Sequence, residues 1–200
     1  MSEPTFVYRH AVNPSRGLAA TGVLFVKWVL ALPHLIVAGA LSYLGMILAY
    51  IGYFVVAFTG EMPTGIFRLM EISFKWSART YGWLIGYTDD YPPFETDPQY
   101  PVDVKLERPN DPSKGWAVAG IFFIKAIALL PHFIALAFVG LAAALATWFG
   151  YWAVVFTGRL PVGIQDFVAG TAQWYVRVYA FLGGITDEYP RFSLEARPAA

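Results

Sequence analysis

Gly17 to Phe58 reads GLAATGVLFVKWVLALPHLIVAGALSYLGMILAYIGYFVVAF, 42 residues in which Lys27 is the only formal charge. As one α-helix at 1.5 Å per residue this stretch would be about 60 Å long, roughly twice a ~30 Å hydrocarbon core. It must therefore fold back on itself. The small residues between Gly39 and Gly45 offer one break, giving two antiparallel spanning helices. A shallow re-entrant hairpin beginning after Lys27 is the other solution, with legs too short to span. Both readings stay open on sequence alone.

The remainder of the chain has the same character. Of 200 residues, 57% are hydrophobic and 14% charged, against roughly 45–50% and ~25% in soluble domains. A chain this small has too little interior to hide that much apolar surface from water, so a bilayer is the expected solvent. Lys plus Arg (14) and Asp plus Glu (14) cancel, which argues against a nucleic-acid partner. The absence of cysteine excludes disulfides, thiol nucleophiles and thiolate metal sites. No glycine-rich phosphate loop, nucleophile elbow or His-Glu-x-x-His pattern occurs. The expectation is a protein that is not an enzyme, with no catalytic residues, cofactor or metal.

The chain is one unit written twice. A shift of 98 residues, without a gap, places Asn13-Pro14-Ser15 on Asp111-Pro112-Ser113, Lys27 on Lys125 and Leu32-Pro33-His34 on Leu130-Pro131-His132. Gly52-Tyr53 falls on Gly150-Tyr151 and Phe58-Thr59-Gly60 on Phe156-Thr157-Gly158. Trp76, Arg79 and Tyr81 meet Trp174, Arg177 and Tyr179, and Thr88-Asp89-Asp90-Tyr91-Pro92 meets Thr186-Asp187-Glu188-Tyr189-Pro190.

These motifs resemble the DUF4389 membrane proteins of bacteria: a Pro-His pair in an apolar segment, Phe-Thr-Gly-x-x-Pro-x-Gly, Trp-x-x-Arg-x-Tyr, and a Thr-Asp-Glu-Tyr-Pro-x-Phe tail. Both copies carry the set, with Asp90 in the first where the second has Glu188. The resemblance implies a membrane protein and brings no catalytic residues with it.

The expected fold is an all-α integral membrane protein of two tandem repeats, each a transmembrane hairpin followed by an amphipathic interfacial helix. Unit 1 covers residues 1–96, with its hairpin at about 17–58 and its interfacial helix at about 64–86. Residues 97–114 form the connector and the start of unit 2. Unit 2 covers 115–200, with hairpin and interfacial helix at about 115–156 and 162–184. Asn13-Pro14 and Asp111-Pro112 are helix-start signals, and the breaks in the hairpins are expected at Gly39–Gly45 and near Gly140. Arg68, Glu71, Lys75 and Arg79 recur at three- and four-residue spacing, predicting a helix with one charged face lying in the headgroups. Trp76, Tyr81, Tyr87 and Tyr91, with Trp174, Tyr179 and Tyr189, suit an aromatic belt. Charges flank the apolar blocks while the hairpin turns carry none. An even number of crossings then gives a multi-pass protein of the bacterial inner membrane, with both termini and the Asp97–Lys114 connector cytoplasmic. The two repeats would be parallel, related by a pseudo-twofold axis along the membrane normal.

Two sets of residues stand out. Lys27 and His34, repeated as Lys125 and His132, are seven residues apart and on a continuous helix would share a face. They are candidates for an intramembrane polar site, as a proton relay or an anion site. The plainer reading has lysine snorkelling to the interface and histidine bonding a carbonyl freed by proline. The apolar hairpins hold no acid for either lysine, so a partner must come from the interface, another chain or a lipid. Arg79 and Arg177 are candidates for lipid phosphate, or for structural ion pairs with the acidic tails at Asp89 and Asp187. The functional expectation is a scaffold or accessory subunit that binds membrane lipids and docks a protein partner or a second copy in the bilayer or at its cytoplasmic face. The alternative is a small channel, transporter or lipid-handling protein using the Lys/His sites. Small residues such as Gly39, Ala40, Gly45 and Ala142–Ala144 favour close helix contact.

Overall fold

The computed structural model describes residues 3–95 and 99–196. The chain ends placed in the cytoplasm above, and Asp97 at the start of the connector, lie outside them. The first copy contributes β1 (Thr5–Val7), α1 (Arg16–Val23), α2 (Val26–Leu30), α3 (Leu32–Thr59) and α4 (Thr64–Ile85). The second contributes β2 (Asp103–Lys105), α5 (Lys114–Ile121), α6 (Ile124–Ala128), α7 (Leu130–Thr157) and α8 (Val162–Leu182). The protein is mostly helical, with two repeats and a pair of three-residue strands that the all-α expectation lacks.

The chain reverses in places other than those the glycines suggest. Gly39–Gly45 and Gly140 lie inside α3 and α7, unbroken helices of 28 residues each. By length and composition these two could cross a membrane. A lone glycine costs an apolar helix only about 1 kcal/mol, and neighbouring turns carry it. The first break comes at Phe25 and Phe123, both at φ 59° in the left-handed region. It splits the first leg into a short helix and a five-residue one. The second comes at Ala31 and Leu129, just ahead of the prolines that open α3 and α7, where proline's missing N–H is no loss. The long antiparallel hairpin is therefore α3 with α4, turning at Gly60 (φ 79°) and Pro63. Helix starts also shift slightly: Ser15 and Ser113, rather than Asn13 and Asp111, cap α1 and α5 by accepting from Leu18 and Trp116.

Each short helix packs on the long helix of the other copy, α1 on α7 and α5 on α3. Tyr151 covers Gly22, and Tyr53 covers Gly120. Arg16 meets Gly158 where Lys114 meets Gly60. Contacts that exchange copies in this reciprocal way define a pseudo-twofold axis. It passes through the sheet, where Phe6 faces Val104, the same position of the two copies, in antiparallel register.

Three layers stack along that axis. On α4, Ser73 contacts Gly45 of α3, while Gly82 packs on Val102 beside the sheet. Nine residues at 100° each put those two positions on opposite sides of the helix. On α8, the Gln173 amide holds β1 through Phe6 N (2.6 Å) and Pro4 O (2.7 Å), and the Tyr175 hydroxyl reaches Leu136 O of α7. The order is sheet, then α4 and α8, then α3 and α7 with the short helices beside them. This changes the role expected for the charged helix. Phe67, Met70, Arg79, Trp83 and Leu84 of α4 are all buried, and α8 is more enclosed still. The middle layer is the core. Tyr87 and Trp174, expected in a belt, are buried in it.

Gly22 and Gly120 are demanded by close approach, since a Cβ at either would fall 2.5 Å from a tyrosine ring. Gly22→Ala and Gly120→Ala should each destabilise the protein by about 1–3 kcal/mol through overpacking. Gly39→Ala, with open space around it, should be neutral or stabilising by up to about 1 kcal/mol. Thermal melts in detergent separate the two classes; equal melting temperatures would contradict the packing described.

Candidate functional site

Lys27 and Lys125 are about 1% exposed, so neither snorkels out of the protein. The Lys27 Nζ lies 4.7 Å from the centre of the Trp83 ring and 5.3 Å from Tyr151. Lys125 sits equivalently near Phe181 (4.7 Å) and Tyr53 (5.2 Å), and its Nζ donates to Phe181 O at 3.1 Å. Cation–π contact suits an ammonium taken out of water. The missing acid is the tail of the same copy: Asp187 Oδ1 stands 3.9 Å from Lys125 Nζ, and Asp89 faces Lys27. The other carboxylate oxygen accepts the backbone N–H of Ser15 (2.7 Å) or Ser113 (2.6 Å), at the start of α1 or α5. Asp89 and Asp187 therefore join the end of α4 or α8 to the beginning of the short helix, with lysine closing the knot. Burial pushes each ammonium down to about 8, against the pull of the aspartate. The cleft at Lys27 has about 10 Å³ of free space, room for one water at most.

His34 and His132 face other neighbours than the lysines do: Trp83 and Tyr151 surround Lys27, whereas Phe94, Tyr91 and Trp76 surround His34. Each histidine is fully buried in an aromatic box. His132 stacks on Phe192 at 3.9 Å, with Tyr189 and Trp174 edge-on. His34 has Phe94 at 4.2 Å, Tyr91 at 4.9 Å and Trp76 at 5.7 Å. Trp174 Nε1 donates to His132 Nδ1 at 3.0 Å, so the proton of the neutral imidazole sits on Nε2. The lining of the His34 box leaves no room for a water. The Tyr-Pro-x-Phe tails are thus lids on the histidines. Their tyrosines do the work expected of histidine: the Tyr91 hydroxyl donates to Leu30 O (2.8 Å) and Tyr189 to Ala128 O (2.7 Å), each satisfying a carbonyl at the end of α2 or α6.

The arginines do not pair with Asp89 and Asp187. Arg79 donates to Glu95 O at 3.0 Å and approaches Asp103 of β2 at 3.6 Å. Arg177 donates to Ser193 O (3.1 Å) and Glu195 O (2.8 Å) and pairs with Glu3 at 3.0 Å. Both are buried and clamp the tail of their own copy against the sheet. Neither presents a guanidinium to a lipid. Among the described residues no group of three or more His, Asp or Glu side chains could hold a metal ion. The tyrosines of the tails and the two aspartates were the residues whose use was hidden. Spacing gave no signal of that use, because the gapless duplication makes every separation equal in both copies.

The family model described as "Domain of unknown function (DUF4389)" matches residues 22–95 and again residues 121–193. Together these regions make up well over half of the chain, and it belongs to that family as a tandem duplication. No curated protein and no solved structure matches it.

The lysine pockets carry a pH dependence. A group held near 8 when folded and near 10.5 when unfolded binds fewer protons in the native state between those values. Stability therefore rises with pH across that window. Above about pH 10 ionisation of tyrosine in the unfolded chain opposes it. From pH 8 to 10, the wild type should gain about 1–3 kcal/mol per lysine, and Lys27→Met with Lys125→Met should abolish the gain. A flat wild-type profile in detergent melts would contradict the buried-ammonium geometry.

Proposed function

We propose that this DUF4389 protein is a non-enzymatic scaffold or accessory module of the bacterial inner membrane, seated in lipid and docking a protein partner with its cytoplasmic face. The observation that supports this reading is the fate of the candidate groups: Lys27, Lys125, His34, His132, Arg79 and Arg177 are all buried and engaged by neighbouring rings, carbonyls or carboxylates. Chemistry at any of them would require dismantling a packing element. The seat in lipid is supported by α3 and α7, whose large apolar side chains lie exposed along most of their length, far more than a water-facing surface of this size carries.

The channel or transporter alternative asks for a wet path past the lysines and histidines. The small free volume at Lys27 and at His34 speaks against it. In this reading the polar side of the protein, including both chain ends, faces the cytoplasm, in keeping with its exposed arginines and lysines.

Gentle extraction from native membranes should bring down a reproducible protein partner, and liposomes carrying the pure protein should conduct no ions. Ion flux that disappears in Lys27→Met with Lys125→Met would replace the scaffold reading with the transporter one. Recovery of the protein in the soluble fraction would remove the membrane seat itself.

A further inference from the structure

Resting on that membrane seat, we propose that α3 and α7 do not cross the bilayer but lie along a single leaflet, with their outer faces covered by its acyl chains. The pseudo-twofold axis then runs along the membrane normal and the β1–β2 sheet stands in water.

The symmetry carries the argument. The start of α4 lies at the end of α8, where Met70 packs on Gly183. The end of α4 lies at the start of α8, where the Tyr87 hydroxyl donates to Gln165 O. Two helices that are antiparallel and exchanged by a twofold axis must lie perpendicular to it. The long helix α3 runs antiparallel to α4, from Ala31 beside Trp83 and Leu84 to Gly52 beside Ile66, and α7 does the same with α8. All four long helices are therefore perpendicular to the axis. If they crossed the membrane, the axis would lie in the membrane plane and everything on it would sit at mid-depth.

What sits on the axis does not tolerate hydrocarbon. The sheet has two strands of three residues whose central N–H groups are met by side chains, Phe6 N–H by Gln173 Oε1 and Val104 N–H by Asp103 Oδ1, and β2 also carries the partly buried Asp103 and the exposed Lys105. A charged side chain facing hydrocarbon at mid-depth costs about 2.5 kcal/mol or more. The partly buried Lys75–Glu71 pair (2.7 Å) near the middle of α4 would stand at the same depth. With the axis along the normal, both conflicts disappear. The sheet and the charged pair are in water, α4 and α8 are the core, and α3 and α7 form the layer furthest from the sheet.

That far layer has the composition of a leaflet contact. Ile36, Tyr43, Ile47 and Phe54 of α3 are exposed, as are Phe138 and Leu145 of α7. Beside them the left-handed corners at Leu24-Phe25 and Phe122-Phe123 point outward, 61–71% exposed. Four large apolar side chains at two symmetric corners suit insertion below the headgroups. At the other end of each short helix stands an exposed cation, Arg16 or Lys114, against the C-terminus of a long helix. Their place at the aqueous end complements lipid phosphates. A helix of 28 residues then extends about 42 Å along the leaflet. The flat orientation makes the repeats parallel, as expected from the charge distribution, while removing the crossings.

Because the chain has no native cysteine, single reporters test this directly. Glu61 and Asp90 are exposed and bracket α4. In Glu61→Cys and Asp90→Cys, an impermeant maleimide should label both sites in inverted vesicles and neither in intact cells. Labelling of one site from each side means that α4 crosses the membrane, and overturns the proposal while leaving the membrane seat intact. Alkaline washing of the same membranes gives the other distinction. Protein retained in the pellet keeps the membrane seat; protein released as a soluble dimer overturns both, with a second copy covering the apolar face instead.

Discussion

The exchange of short helices between the copies is the contact on which the rest of this structure depends. A long apolar helix such as α3 has one stripe to bury against α4, and its C-terminal half needs a further cover. Its own copy cannot supply one, because α1 is carried away by the turn at Phe25 to lie on α7. The cover comes from α5, whose glycine at position 120 lets the backbone come under the Tyr53 ring. Neither copy closes its core alone. The middle layer, the sheet that caps it and the reciprocal lysine pockets all follow from that exchange.

The lysine pockets show how a chain keeps a charge inside an apolar body. Desolvating an ammonium costs several kcal/mol, and the partner must be close and well placed to offset it. Here the aspartate faces the ammonium across 3.9 Å and accepts the backbone N–H at a helix start, while the ammonium donates to Phe181 O. The arrangement fixes the angle between the short helix and the end of α8. The copies are alike in this but not identical. Trp174 donates to His132, whereas Trp76 is tilted at 37° to His34 and makes no such bond among the described residues. The second box holds one hydrogen bond between its own rings that the first lacks among the described residues.

Local chemistry was legible in the sequence; the choice of partner was not. Thr59-Gly60 and Pro63 announce the end of α3 and the start of α4 because a left-handed glycine and a fixed proline act on the backbone directly. The repeat is legible for the same reason, as identical signals at a constant shift. The break at Phe25 had no such mark: phenylalanine disfavours positive φ, and the corner is flanked by the buried Lys27 and by Gly22 under the Tyr151 ring. Gly39 and Gly45, expected at a turn, lie within α3; Gly45 admits Ser73 of α4, while Gly39 faces open space. Among the candidate residues, the apolar setting of the lysines was legible, but it did not decide between burial and snorkelling, and burial came from rings of both copies. That Asp89 and Asp187 would serve lysine, leaving Arg79 for Asp103 and Arg177 for Glu3, depended on where a distant tail folds, which residue spacing does not encode. The strands were hidden because three residues are too few for a period to show.

The pairing of Phe6 with Val104 bears on ancestry. A polypeptide holding a single copy would find its second strand and its covering helix only in another molecule. It would assemble as a symmetric homodimer, its folding tied to its own concentration. Fusion replaces that concentration with the effective one set by a short tether, of millimolar order or above. It also releases each half from having to be its own partner. Lys75 and its equivalent Gln173 record that release: one is in an ion pair on its own helix, the other holds the backbone of β1. No homodimer could divide those two tasks, since every substitution in it is made twice.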